Sequence, residues 1–229
     1  MDLLHSPFRS RRQAAPRPEP ILRPITGFEE EFLEANLHDT DPVLLCNELL
    51  ARCMGAPGED TRAALAQVRA MLIPERDRCL VQLRRLSLGD KLELSTRCPH
   101  CSHPNGLSLD LAQLPTDFVV EKRRVEVDVG RPAVLRLPTA GDQEQMRQSK
   151  GSAERRTVLL STCLEALGEE RGPFSEDRIR ALTTGERRAM EEALTHALPD
   201  FSLSLAISCA GCSQDFVAPL DLRSFFLPS

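Results

Sequence analysis

Two cysteine pairs with one and the same spacing constrain this chain more than any other feature. They are Cys98-Pro99-His100-Cys101 and Cys209-Ala210-Gly211-Cys212. A two-residue spacer lets both sulfurs of a pair face one ion at about 2.3 Å, and two such pairs complete a tetrahedral site. Residues alternate in polarity on either side of each pair, which places each CxxC in a turn between two strands, as in a zinc ribbon. With 107 residues lying between the pairs, the fold must return the chain to its own midpoint to close the site.

Comparison of the chain with itself suggests how it does so. The second pair lies 111 positions after the first, and at that offset Leu92, Leu94 and Thr96 meet Leu203, Leu205 and Ile207. Beyond the pairs, Ser102 meets Ser213, Leu109-Asp110-Leu111 meets Leu220-Asp221-Leu222, and Leu114 meets Phe225. Upstream, Arg69-Ala70 meets Arg180-Ala181, and Glu75-Arg76 meets Glu186-Arg187. Small drifts then bring Val43-Leu44-Leu45 onto Val158-Leu159-Leu160, and Leu22-Arg23 with Thr26 onto Leu135-Arg136 with Thr139. Two copies are too few for a solenoid, so the expectation is a pseudo-two-fold pair sharing a core.

Each half reads alike. A short strand, Ile21 to Ile25 or Val134 to Leu137, leads into a capping box, Thr26 with Glu29 or Thr139 with Asp142. Phe28 and Phe32 share one face of the helix that follows in the first half. Its second helix starts at Asp41 as N-cap with Pro42 at N1, carries Val43, Cys46, Leu49, Leu50 and Cys53, and ends at Gly55 and Pro57. The counterpart carries Val158, Leu159, Cys163, Leu164 and Leu167, closed by Gly168. A third helical piece holds Leu65, Val68 and Leu72, or Ile179 and Leu182. The fourth runs from Pro74 to Leu86, or Glu186 to Leu198, with Leu80, Leu83 and Leu86 on its apolar side. Gly151 to Arg156 and Glu169 to Pro173 read as polar loops.

The resulting expectation is an α+β protein of two duplicated helix-rich halves joined by a four-cysteine, zinc-ribbon-like β module. Residues 1–20 form a disordered or docking tail, 21–116 the first repeat, 117–133 a β-hairpin linker, and 134–229 the second repeat.

Composition narrows the function. The chain has 229 residues, 29 basic against 34 acidic, and neither Trp nor Tyr, so its core is aliphatic and its net charge of −5 is the wrong sign for duplex binding. The cluster Lys122-Arg123-Arg124 lacks interleaved aromatics and is flanked by Glu121, Glu126 and Asp128, as expected of a solvated strand face. No apolar run approaches the roughly 20 residues needed to span a bilayer. The N-terminal segment, with Arg9, Arg11, Arg12 and four prolines, does not read as a signal peptide. A reducing compartment is therefore expected, and metal rather than disulfide is the better use of the spaced cysteines. Cys46, Cys53, Cys79 and Cys163 lie on apolar helical faces and read as buried thiols.

The site itself is expected to be closed and structural, holding one Zn²⁺ per chain through Cys98, Cys101, Cys209 and Cys212. Zinc is preferred to iron because no redox partner motif accompanies it. His100 and His103 read as exposed turn residues, since four sulfurs complete the sphere. No GxSxG, HExxH, P-loop or dinucleotide fingerprint occurs, and the carboxylates Glu29-Glu30-Glu31 and Glu191-Glu192 read as solvated helix faces. An enzyme is not expected.

Several of these residues, in order, resemble the baseplate-hub assembly protein family of contractile-tailed, T-even-like phages and of extracellular contractile injection systems. They are Leu22-Arg23-Pro24-Ile25-Thr26-Gly27, Arg76-Asp77-Arg78, Cys98-Pro99-His100-Cys101 and Leu137-Pro138-Thr139. The resemblance spans roughly Ile21 to Phe226, and it departs at Thr139-Ala140-Gly141 and at the second knuckle, which lacks proline. It implies a non-enzymatic structural or assembly protein whose partners are other baseplate, hub or tail proteins, made in the cytoplasm and open to incorporation in the particle. The alternative is a zinc-ribbon regulator that binds nucleic acid or RNA polymerase.

Overall fold

The computed structural model describes residues 20–201, 203–219 and 225–227 of the chain. The expected N-terminal tail, up to residue 19, and the expected Leu220-Asp221-Leu222 match lie outside the described residues.

Four helices form the first part: α1 (Gly27–Asn36), α2 (Pro42–Cys53), α3 (Arg62–Arg69) and α4 (Ile73–Leu88). Asp41 caps α2 by accepting the Val43 amide at 2.9 Å, with Pro42 next in line. Gly89, at φ +80°, ends α4 and turns the chain into the hairpin β1 (Lys91–Arg97) and β2 (Pro104–Asp110). Leu33, Leu49, Leu50, Leu80 and Leu83 fill the core beneath these elements.

A four-stranded antiparallel sheet follows, ordered β3 (Arg124–Asp128), β4 (Pro132–Arg136), β5 (Leu164–Leu167) and β6 (Glu170–Arg171). Helices α5 (Ala140–Met146), α6 (Ser152–Cys163), α7 (Glu176–Arg180) and α8 (Thr184–Ala197) surround it, and a second hairpin, β7 (Ser204–Ser208) and β8 (Asp215–Pro219), ends the series. Leu135, Leu160, Leu167, Ile179 and Met190 make a second core, so the apolar residues divide into two clusters where one shared core was expected.

The helix starts repeat a single chemistry. The carboxylate of Glu29 accepts from the Thr26 amide at 3.0 Å and from both Arg23 Nη atoms at 2.9 Å. Exactly the same three residue roles recur 113 positions on, where Asp142 accepts from the Thr139 amide at 2.8 Å and from Arg136 at 2.6 and 2.7 Å. Glu75 likewise bonds the Leu72 amide and Arg123, as Glu186 bonds the Thr183 amide and Arg131.

The two parts interlock. Phe201, Phe225 and Phe226, from the end of the chain, sit in the first core, while Leu72 sits in the second. Helix α5 docks on the first part: Asn47 and Arg69 both donate to Glu144 at 2.8 Å, and the buried Arg76 donates to Gln143, Asn47 and Asp77. Gly141 lies so close to Arg69 that an added Cβ would stand 3.1 Å from its carbonyl oxygen.

Several expected elements differ. Ile21 to Ile25 is extended but is no strand: its amides go to the Cys53 carbonyl and the Ser87 hydroxyl. Its counterpart β4 has neighbours on both sides, whereas no strand of the first part pairs with this segment among the described residues. The helix expected to run through Leu167 stops at Cys163, because Leu164–Leu167 pairs with β4 as β5. A four-residue apolar run suits either state, and the available sheet edge decides it. The loops expected at Gly151 to Arg156 and Glu169 to Pro173 hold the start of α6 and strand β6. Leu86 and Phe28 are exposed, while Leu80, Leu83 and the half-buried Phe32 face inward.

Candidate metal centre

Each CxxC occupies the turn of a hairpin, and the two turns are built alike. In the first, the Cys98 amide donates to the His103 carbonyl at 3.0 Å and the Ser102 amide to the Cys98 carbonyl at 2.9 Å. In the second, Cys209 donates to Gln214 at 3.0 Å and Ser213 to Cys209 at 2.9 Å. Ser102 and Ser213 both adopt positive φ, 60° and 58°, a conformation uncommon for residues with a Cβ. In both turns an amide two residues after the first cysteine points at its sulfur: His100 to Cys98 at 3.4 Å and Gly211 to Cys209 at 3.3 Å.

β1 and β2 pair over seven residues and β7 and β8 over five, as two separate two-stranded sheets. The four sulfurs lie within 4.8 Å of one another. Two contacts cross between the hairpins, Cys98 to Cys212 at 3.7 Å and Cys101 to Cys209 at 3.6 Å. A tetrahedron of sulfurs about 2.3 Å from a central ion has edges of about 3.8 Å, so the donor set fits a metal ion that prefers thiolates. Cys98 and Cys209 are buried, Cys212 is half-buried and Cys101 is exposed.

The electrostatics favour thiolate at one end of the cluster. Burial would raise the Cys209 thiol, but hydrogen bonds from the amides of Cys212 and Gly211 and from the Cys98 and Cys101 side chains together outweigh it and hold it at about 6. Cys101 is pushed up to about 12: the His103 amide opposes the shift, while burial and the neighbouring sulfurs drive it.

Two residues that the sequence did not single out support the site. Asn105, buried on β2, accepts the Ala210 amide at 3.0 Å and donates to the His103 carbonyl at 3.0 Å, with its amide nitrogen 3.8 Å from the Cys209 sulfur. It therefore reaches from the first hairpin into the turn of the second. Its position has no polar counterpart 111 residues on, where Phe216 stands, so the self-comparison could not mark it. Gly211 is the other: a Cβ there would meet His103 Cγ at 2.7 Å. His100 and His103 are exposed, as expected of turn residues.

The remaining candidates are placed elsewhere. Cys46, Cys53, Cys79 and Cys163 are buried in the helical cores, and burial pushes Cys46 and Cys53 up to about 12 and Cys163 to about 11. Of the basic cluster, Arg123 pairs with Glu75 and Arg124 with Glu165. Among the described residues, no helix is long and apolar enough to cross a membrane.

No curated protein and no solved structure matches the chain. The profile of one protein family, described as T4 bacteriophage base plate protein, matches residues 20–227. The match takes in both hairpins, all four cysteines and both helical cores, and on that extent the chain belongs to the T4 bacteriophage base plate protein family.

Proposed function

We propose that this protein is a non-enzymatic structural or assembly component of the baseplate or hub of a phage-tail-like contractile particle, held in shape by one structural zinc ion. Cys98, Cys101, Cys209 and Cys212 would hold the ion. The observation that carries this reading is the meeting of four sulfurs from two turns 111 residues apart, in a chain that the family profile spans nearly end to end. An all-thiolate sphere leaves no position for water or substrate, so the ion would clamp rather than react.

The architecture we propose is a duplication, with repeats at 21–116 and 134–229 joined by the linker 117–133. Its support is chemical as well as positional. The Arg-Thr-carboxylate clamps of Arg23 and Arg136 recur at an offset of 113, and the positive φ of Ser102 and Ser213 and the matched amide–sulfur bonds at an offset of 111. The two hairpins would then form a zinc ribbon split between repeats, with the metal as the clasp between them. Structural zinc of this kind contributes on the order of 10 kcal/mol to folding.

The partners we propose are other baseplate, hub or tail proteins, met during assembly in the cytoplasm and then retained in, or released from, the particle. The alternative of a nucleic-acid or polymerase-binding regulator draws less support, because Arg123 and Arg124 are occupied by Glu75 and Glu165. Affinity capture from a particle-producing cell tests the reading: baseplate or tail proteins should co-purify with the chain. Recovery of nucleic acid or polymerase in their place would overturn it.

A further inference from the structure

We infer that the outer edge of β3 is a docking site for an extended peptide segment in which basic and apolar residues alternate. The sheet ends at β3, and β4 covers only its inner edge. The Leu137 amide bonds the Arg123 carbonyl at 2.9 Å, and the Val129 amide bonds the Arg131 carbonyl at 3.1 Å. With the register Val125↔Leu135 and Val127↔Ala133, the odd-numbered residues bond inward, so the amides and carbonyls of Arg124, Glu126 and Asp128 face outward. Among the described residues nothing pairs with this edge. An open edge of this kind recruits a strand through its main chain and reads it through alternate side chains.

Those side chains specify the occupant. On one face of the strand stand the exposed Glu126 and Asp128, neither of which has a cationic partner among the described residues, whereas Arg124 is already held by Glu165. Opposite charges directly across a strand pair are favourable and like charges are not, so the incoming residues on this face are lysine or arginine. On the other face, Val125 and Val127 turn towards the second core beside Ala197 and Leu198. There a groove of about 590 Å³ flanks the edge, its apolar wall made by Phe118, Val119, Val120, Val125, Leu198 and Pro199, with Glu121, Lys122 and Arg124 also on its lining. Val119 is 73 % exposed within it. The incoming residues on that face are apolar.

The inference relies on the scaffold reading only for the source of such a segment, an extended stretch of a neighbouring particle protein. The test is fluorescence anisotropy on the full chain with a labelled peptide of alternating lysine and valine, beside one of alternating glutamate and valine. The lysine peptide should bind at least about tenfold more tightly. Exchanging both Glu126→Lys and Asp128→Lys should reverse that preference. Glu126→Pro deletes an outward amide without touching the β3–β4 ladder, and it should cost the lysine peptide about tenfold at an unchanged melting temperature. Equal binding of the two peptides, no binding of the lysine peptide, or a preference that survives the double exchange would overturn the inference. Should Glu126→Pro unfold the protein, the charge exchange alone decides. Peptide binding reads the edge and co-purification of tail proteins reads the scaffold, so each can fail without the other.

Discussion

Asn105 Oδ1 accepts the Ala210 amide at 3.0 Å, so a side chain on the first hairpin fixes the turn of the second independently of any ion at the sulfurs. Residues of this kind orient metal ligands, and their loss commonly costs 10- to 100-fold in metal affinity. Asn105→Ala should therefore weaken zinc retention by about that factor in a chelator competition. It should also lower stability by about 1 to 3 kcal/mol, because the Ala210 amide is left without its acceptor. Wild-type zinc retention in the variant would remove Asn105 from the site.

The metal proposal predicts close to one zinc per chain by elemental analysis. Cys98→Ser and Cys209→Ser should lower the unfolding free energy to similar extents, by several kcal/mol, since each removes one ligand from the same ion. A fully folded, metal-free preparation, or a loss from only one replacement, would contradict a shared site.

Gly211 sits against the near end of the His103 side chain, where a Cβ would stand 2.7 Å from Cγ and 2.8 Å from Cβ. Overpacking of this kind costs about 1 to 3 kcal/mol, so Gly211→Ala should destabilise by that amount. The clash needs both partners, and His103 Cβ is one of the atoms met, so His103→Gly is the variant that removes it: combined with that substitution, most of the loss should be recovered in a double-mutant cycle. Additive losses would show that the clash is not the cause.

Glu29 makes stability depend on acid. Burial would raise its carboxyl, yet the hydrogen bonds from Arg23 and Thr26 outweigh it and hold it at about 2 against the usual 4.5. A folded value below the unfolded one means that the unfolded chain binds the proton more readily. The contribution is thus complete above about pH 4.5 and lost as pH falls towards about 2. Asp142, also held low against the pull of burial by Arg136 and Thr139, should act in the same direction. Chemical denaturation across this range should show Glu29→Gln losing about 2 to 3 kcal/mol less than wild type on acidification. Parallel acid profiles would rule the clamp out as their source.

What could be read from the residues alone was local chemistry. The Thr-carboxylate starts at Thr26 and Thr139, the Asp41-Pro42 cap and the two CxxC turns each depend on groups within a few positions of one another. Spacing along the chain sets their geometry directly. The four sulfurs also came together, as the two matching CxxC spacings led one to expect.

Tertiary structure decided the rest. Leu164–Leu167 became a strand because β4 offered it an edge, and Ile21–Ile25 did not because no described strand lies beside it. Phe201, Phe225 and Phe226 entered the first core rather than the second, a matter of where apolar volume was free and not of any periodicity in the segments that carry them. Asn105 bonds a residue 105 positions away. The sequence by itself determined which groups could cap, turn or bind metal, since those interactions are short in range. Only the folded chain determined which edges, cavities and distant amides those groups would meet, because burial and strand pairing depend on neighbours that are close in space and far in sequence.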